Sequence, residues 1–303
     1  MENAIVKTND EMISIHFDSI LDLMEHEATG RNANRFNRFL TDYESDPSWY
    51  GKTNGGEAKQ VIDHALIGDQ KLYDGLSEKV SDFASFTGLN NIDTVQKIKS
   101  SKRKIKRGDF GDEFDIHKMY SGNLENAWTR RVRVENDSQH KLVTLFINVC
   151  GTMRVDAEDS LWRAVVALRL YQDLQRAGKS VKIIVGGGSA NTFESDSRKC
   201  SFSIVVKEYN QALSVERLAA MSHVGFHRVF GFAAKCAHDE AQVESSLGKS
   251  VNASNNYLPI NLKEELDVGH TRILFINKST SLMDAKADLD SLYNQLQDLQ
   301  KEI

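Results

Sequence analysis

The stretch from residue 142 to residue 185 constrains the fold of this chain more than any other. Leu142-Val-Thr-Leu-Phe-Ile-Asn-Val149 is a nearly continuous apolar run of strand length, the pattern of a strand covered on both faces. Asp156 is placed to cap a following helix, and Gly178 to end it as the C′ residue. Between them Leu161, Trp162, Val165, Val166, Leu168, Leu170 and Leu174 are apolar around much of the helix circumference, so that helix should be well buried. Val181–Val185 is the next strand, closed by Gly186-Gly187-Gly188. The whole is one β-α-β unit near the minimum length, which implies parallel strands joined by a right-handed crossover.

More elements of the same kind follow. Phe202–Val206 reads as a strand, and Ser214 caps a helix rich in Leu218, Ala219, Met221, Val224, Phe226 and Phe230. Ile273–Ile276 is a last strand and Leu282–Ile303 a last helix. Strands alternating with helices predict an α/β domain over 138–303 with a mostly parallel, doubly wound sheet. Residues 1–137 read as a mainly helical N-terminal region, with a dense apolar stretch from Met12 to Met24, turn chemistry from Asp46 to Gly56 and a short helix from Glu57 to about Gly68. The boundary falls near residue 137.

Three cysteines, odd in number and without pattern, fit a reducing compartment and oppose a disulfide framework or a zinc site. The polar, acidic start lacks the basic and apolar regions of a secretion signal, and no apolar run is long enough to span a bilayer. The expected location is the cytoplasm of the cell, with no membrane partner.

A net charge of −5 opposes coating of nucleic acid by bulk electrostatics, but the charge is unevenly spread. Seven of the eleven residues from Lys97 to Arg107 are basic: Lys97, Lys99, Lys102, Arg103, Lys104, Lys106 and Arg107. A second cluster follows at Arg130, Arg131 and Arg133. Such clusters neutralise phosphates without reading sequence, and aromatic residues beside them can stack on unpaired bases. Phe110 and Trp128 stand nearest, with Phe114 and Tyr120 between. This predicts an exposed arm over 97–107 that binds single-stranded DNA or RNA, its site formed by the ten basic residues with Phe110 and Trp128.

Catalytic chemistry finds little support. Ligands of open α/β sheets sit at the carboxyl ends of the strands, here the loops Asn148–Arg154 and Gly186–Asn191. Cys150 could expose a thiol there, but a cysteine nucleophile needs a histidine base beside it in space, and no signature supplies one. His223 and His227 are four apart on one predicted helix, without the glutamate of a zinc-protease pattern. The glycine run matches neither a dinucleotide nor a phosphate-loop motif. The expectation is a non-enzymatic protein without metal or cofactor. The last helix carries a heptad seam that includes Leu289, Leu292, Leu296 and Leu299, available for self-association or for packing on the sheet.

The order of several motifs resembles a family of phage-encoded proteins of unknown function. These are Trp49-Tyr-Gly51, Glu57-Ala58, Ala65-x-x-Gly68, Asp109 to Tyr120 and the β-α-β unit, then Val206-Lys-x-x-Asn-Gln-Ala-Leu-Ser-Val-Glu-Arg-Leu218 and His227-Arg228-x-x-Gly-Phe232. The likeness covers about residues 46 to 235. It implies a sheet of von Willebrand A/Rossmann-like type whose metal site is eroded. Where a von Willebrand A-type domain carries Asp-x-Ser-x-Ser, this chain has Asn148-Val-Cys150-Gly-Thr152, so the anionic ligand for a divalent cation is lost. The chain is also similar in size and charge pattern to the single-stranded-DNA-binding transcription cofactors of podoviruses that carry a virion RNA polymerase. That likeness implies a phage RNA polymerase as partner and a role in transcription or replication. The rival expectation is a protein-interaction scaffold that binds or inhibits a host protein.

Overall fold

A computed structural model describes residues 5–8, 12–27, 66–87, 101–108, 113–114, 116–121, 127–135, 142–150, 157–189, 199–238, 250–251, 262–264, 271–277 and 279–301, with a few single positions between. Its strands are β1 (Ile5–Thr8), β2 (Met12–Phe17), β3 (Ser101–Gly108), β4 (Glu113–Phe114), β5 (Trp128–Glu135), β6 (Leu142–Asn148), β7 (Ser180–Ser189), β8 (Lys199–Lys207), β9 (Ser250–Val251) and β10 (Thr271–Ile276). The helices are α1 (Ile20–Glu27), α2 (Gln70–Thr87), α3 (Ile116–Tyr120), α4 (Ala157–Arg176), α5 (Val215–Ser222), α6 (Val224–Phe226), α7 (Phe232–His238) and α8 (Leu282–Lys301), with a π-helical segment, His227–Gly231, between α6 and α7.

The protein is α/β. Its main sheet runs β1-β2-β8-β7-β6-β10, with β9 paired to the far end of β7. Among the five strands from β2 to β10, three pairings are parallel and one, β7 with β8, is antiparallel. The β6-α4-β7 unit forms as its apolar pattern predicts, and β6 is buried on both faces. Gly178 ends α4 at φ 75°, with Lys179 N–H donating to the Leu174 carbonyl at 3.0 Å, which satisfies an otherwise orphan helix-end oxygen.

Two expectations are corrected at the N-terminus. Met12–Phe17 is a strand, not helix, because Ile13, Ile15 and Phe17 alternate with Ser14 and His16 at the two-residue period of a pleat. It pairs in parallel with β8 and carries β1 at the sheet edge, so β1 and β2 belong to the same sheet as β6, β7, β8 and β10. A boundary near residue 137 therefore does not separate the sheet from the N-terminal segment. The predicted helix from Glu57 to Gly68 lies largely outside the described residues. At its end, Gly68 adopts φ 97° against α5, and a Cβ there would stand 2.4 Å from Glu216 Cβ.

One face of the sheet carries Ile15, Leu145, Ile147, Ile183, Val185, Phe202 and Leu274 in a single apolar cluster with residues of α1, α2, α4, α5, α7 and α8. The other carries a smaller cluster of Phe146, Ile184, Val205 and Ile273 with Leu262. A doubly wound sheet has helices over both faces; among the described residues the long helices pack on one.

The seam of α8 belongs to this core. Leu289, Leu292 and Leu296 are buried within the chain, and Tyr293 donates its hydroxyl to Asp173 on α4. Of the two roles open to the seam, packing within the chain is the one these three leucines take here, which removes their surface from water. Leu299 lies outside the residues whose side chains are described.

Candidate functional site

Eight of the ten predicted basic site residues fall on β3 and β5, and the fold brings these two strands together. β3 is a strand rather than the expected arm or loop. It pairs antiparallel with β5 over eight residue pairs, from Ser101↔Glu135 to Gly108↔Trp128. The two clusters, separate in the sequence, thus become one ladder. Lys102 faces Val134, Arg103 faces Arg133, Lys104 faces Val132, Ile105 faces Arg131, Lys106 faces Arg130 and Arg107 faces Thr129.

Residues directly opposed in an antiparallel pair share a face, and alternate residues along a strand do too. One face of the ladder therefore carries the positions of Lys102, Lys104, Lys106 and Arg130, the other those of Arg103, Arg107, Arg131 and Arg133. On β3 and β5 the one acidic residue is Glu135, at the ladder's end. Two cross-strand pairs, Arg103↔Arg133 and Lys106↔Arg130, oppose like charges, an arrangement that costs stability unless an anion neutralises it. β4 pairs with β5 only at Thr129 and Trp128, giving the ladder a three-stranded base from which two strands continue.

The predicted aromatic partners are placed unevenly. Trp128 is half-buried at the base of the ladder, and Tyr120 at the end of α3 is 79% exposed. Lys97, Lys99 and Phe110 lie outside the described residues. Within the ladder, the uncharged positions are Ser101, Ile105 and Gly108 on β3 and Trp128, Thr129, Val132 and Val134 on β5, with Trp128 on the face of Lys106 and Arg130.

A second group of chemically capable residues meets at the carboxyl end of β6, where the sequence offered no base for Cys150. Cys150 Sγ lies 3.1 Å from His227 Nε2, and Lys235 Nζ stands 4.0 Å from the same sulfur. The predicted single helix carrying His223 and His227 does not form. His223 takes an extended conformation (φ −72°, ψ 137°) that ends α5, and its Nδ1 accepts from Gly225 N–H. The π segment then turns His227 toward Cys150, and Gly231 makes room for the imidazole: a Cβ there would stand 2.5 Å from Nδ1.

The glycine run has a parallel role. It is part of β7, not the turn expected at its end. A Cβ on Gly186 would lie 2.3 Å from the Phe202 carbonyl oxygen, and one on Gly187 would lie 2.1 Å from Cys150 Sγ. Gly186 and Gly187 are packing positions.

Arg163 completes the cluster. Its guanidinium donates to the carbonyls of Asn148 and Cys150, the latter at 2.9 Å, while Asn148 Oδ1 accepts from Cys150 N–H at 3.1 Å. Sequence reasoning missed Arg163 and Lys235 because both sit among the apolar residues of helices that it read only as core. All of these side chains are buried. Burial pushes the Cys150 thiol up from its ordinary range, against the pull of Lys235 and Arg163. It also holds His227 well below the usual imidazole range, reinforced by Lys235, Arg228 and Arg163. Both shifts favour the uncharged thiol and the uncharged imidazole.

Among the described residues no group of three or more His, Cys, Asp or Glu side chains is arranged to hold a metal ion, and no helix is long and apolar enough to cross a membrane. The family model described as "Domain of unknown function (DUF7192)" matches residues 5–297. No curated protein and no solved structure matches the chain.

Proposed function

The chain belongs to this family of unknown function, and on that footing we propose that it is a non-enzymatic accessory protein that binds nucleic acid through the β3–β5 ladder and supports transcription or replication. One observation carries the reading: the register lays the strand bearing the cations of 102–107 against the one bearing those of 130–133, and at two of its pairs, Arg103↔Arg133 and Lys106↔Arg130, like charges are directly opposed. A polyanion relieves that repulsion. Phosphate contacts of this kind release condensed counterions, so binding weakens as salt rises. The buried, neutral Cys150–His227 pair supports a role without catalysis.

The test is filter binding with the full chain and a variant carrying Lys102→Ala, Arg103→Ala, Lys104→Ala and Lys106→Ala together. The wild type retains nucleic acid at low salt and the variant loses most of that retention. Equal retention by the two proteins rejects the site.

A second reading, a von Willebrand A-like interaction scaffold directed at a host protein, draws on the main sheet. Its order β8-β7-β6-β10, with β8 alone reversed among these strands, and the Asn148–Cys150 loop at the end of β6 are in keeping with such a fold whose metal site is eroded. Arg163 brings a fixed positive charge to the carbonyls of that loop, which opposes entry of a divalent cation. A stable complex with a host protein, together with flat nucleic-acid titrations, would favour the scaffold.

A further inference from the structure

We infer that the β3–β5 ladder is a two-stranded ribbon that seats in a groove of double-stranded nucleic acid, held between its two rows of phosphates. The inference rests on the nucleic-acid reading above and names the form of ligand that the same site takes.

Three features of the ladder point to a duplex. The first is the distribution of charge over both faces. Alternation puts four basic positions on each face: Lys102, Lys104, Lys106 and Arg130 on one, Arg103, Arg107, Arg131 and Arg133 on the other. A single strand offers one row of phosphates and could neutralise one of these faces. A duplex groove is walled by two rows, which basic positions on both faces of an inserted ribbon match.

The second feature is shape. β4 covers β5 only at Thr129 and Trp128, so from Ser101 to Lys106 and from Arg130 to Glu135 the described sheet is two strands wide. At roughly 3.4 Å per residue those six pairs extend for about 20 Å. A two-stranded ribbon is an element that the major groove of a duplex admits, at about 12 Å wide.

The third is what stands between the cations. Binding of unpaired strands relies on aromatic faces for bases to stack on. Ile105, Val132 and Val134 separate the cations along the two-stranded part, and the aromatic positions, Trp128 (half-buried) with Phe114 of β4 opposite it, stand together at the base. With aromatic positions confined to that one end, binding along the two-stranded part falls to phosphate charge, and a duplex carries the denser array, one charge per roughly 1.7 Å of axis.

The experiment is fluorescence anisotropy with the full chain and one labelled oligonucleotide, single-stranded and annealed to its complement, at two salt concentrations. Two variants accompany it, Lys102→Gln/Lys104→Gln/Lys106→Gln for one face and Arg103→Gln/Arg131→Gln/Arg133→Gln for the other, each checked for native circular dichroism. Tighter binding of the duplex, with both variants weakened and each salt slope reduced by about 0.9 per lost contact, is the expected result. Equal or tighter binding of the single strand overturns the groove while leaving nucleic-acid binding in place. So does duplex affinity that only one of the two variants reduces. Failure to bind either oligonucleotide overturns both readings.

Discussion

Arg103 stands directly opposite Arg133 across the antiparallel β3–β5 ladder, and Lys106 stands opposite Arg130 three pairs further on. Cross-strand neighbours of like charge destabilise a ladder, and the proposed binding of a polyanion there would offset that cost. The free protein should therefore gain thermal stability when a polyanion is added. With a short duplex in excess, its melting temperature rises, and the Arg133→Glu variant, which pairs opposite charges, melts higher than wild type without ligand. An unchanged melting temperature for both would show that the opposed charges are already relieved.

Gly187→Ala tests the packing of the Cys150 site. The added methyl would stand 2.1 Å from Cys150 Sγ and 2.9 Å from Asn148 Oδ1, so overpacking of about 1–3 kcal/mol or more is expected in urea denaturation. Combining it with Cys150→Ala removes the nearer clash, and the double variant should be more stable than the sum of the two single losses predicts. Simple additivity would place the strain elsewhere.

How much of this was legible in the sequence varied with the range of the contacts. The β6-α4-β7 unit declared itself through its apolar runs and Gly178, because its pairings join neighbouring elements. β2 carried a readable alternation at Ile13, Ile15 and Phe17, yet its partner β8 lies far along the chain and the run merges with the apolar start of α1. The Cys150–His227 contact was hidden by the π segment, which breaks the helical phase that the spacing of His223 and His227 suggested. The basic run resembled a solvated loop since Lys and Arg are poor strand markers. Its pairing with Arg130–Arg133 became visible only in the register.

Acid should destabilise the protein through its buried histidines. His16, bonded through Nδ1 to Ser203 Oγ at 2.8 Å, has its pKa lowered to about 4, mainly by burial and then by Lys182, against a weaker pull from Glu208. Asp18 stands 3.4 Å from its Nε2 but at the exposed rim, where water screens it. Below its ordinary value of 6.5 the unfolded chain takes up a proton that the folded chain refuses, so the stability present above that pH is lost as pH falls toward 4. At about 1.4 kcal/mol per unit the loss from this residue is on the order of 3 kcal/mol, and His227 adds to it in the same direction. Urea midpoints at pH 7.5 and 4.5 measure it. A smaller pH dependence is expected for His16→Gln, and an unaltered one would exclude His16 as a source.

The seam of α8 should report on stability rather than on assembly. Leu292→Ala removes a buried side chain and is expected to cost about 2–5 kcal/mol in chemical denaturation, with the mass seen by light scattering unchanged. A shift in that mass with little loss of stability would return the seam to an interface between copies.

The most direct test of the central claim is the slope of log K against log salt for the full chain on a duplex oligonucleotide. The basic ladder predicts a steep negative slope, near −0.9 for each phosphate engaged, that flattens when Lys102, Arg103, Lys104 and Lys106 are replaced by Ala. A slope near zero, or one that the four replacements leave unaltered, would contradict it.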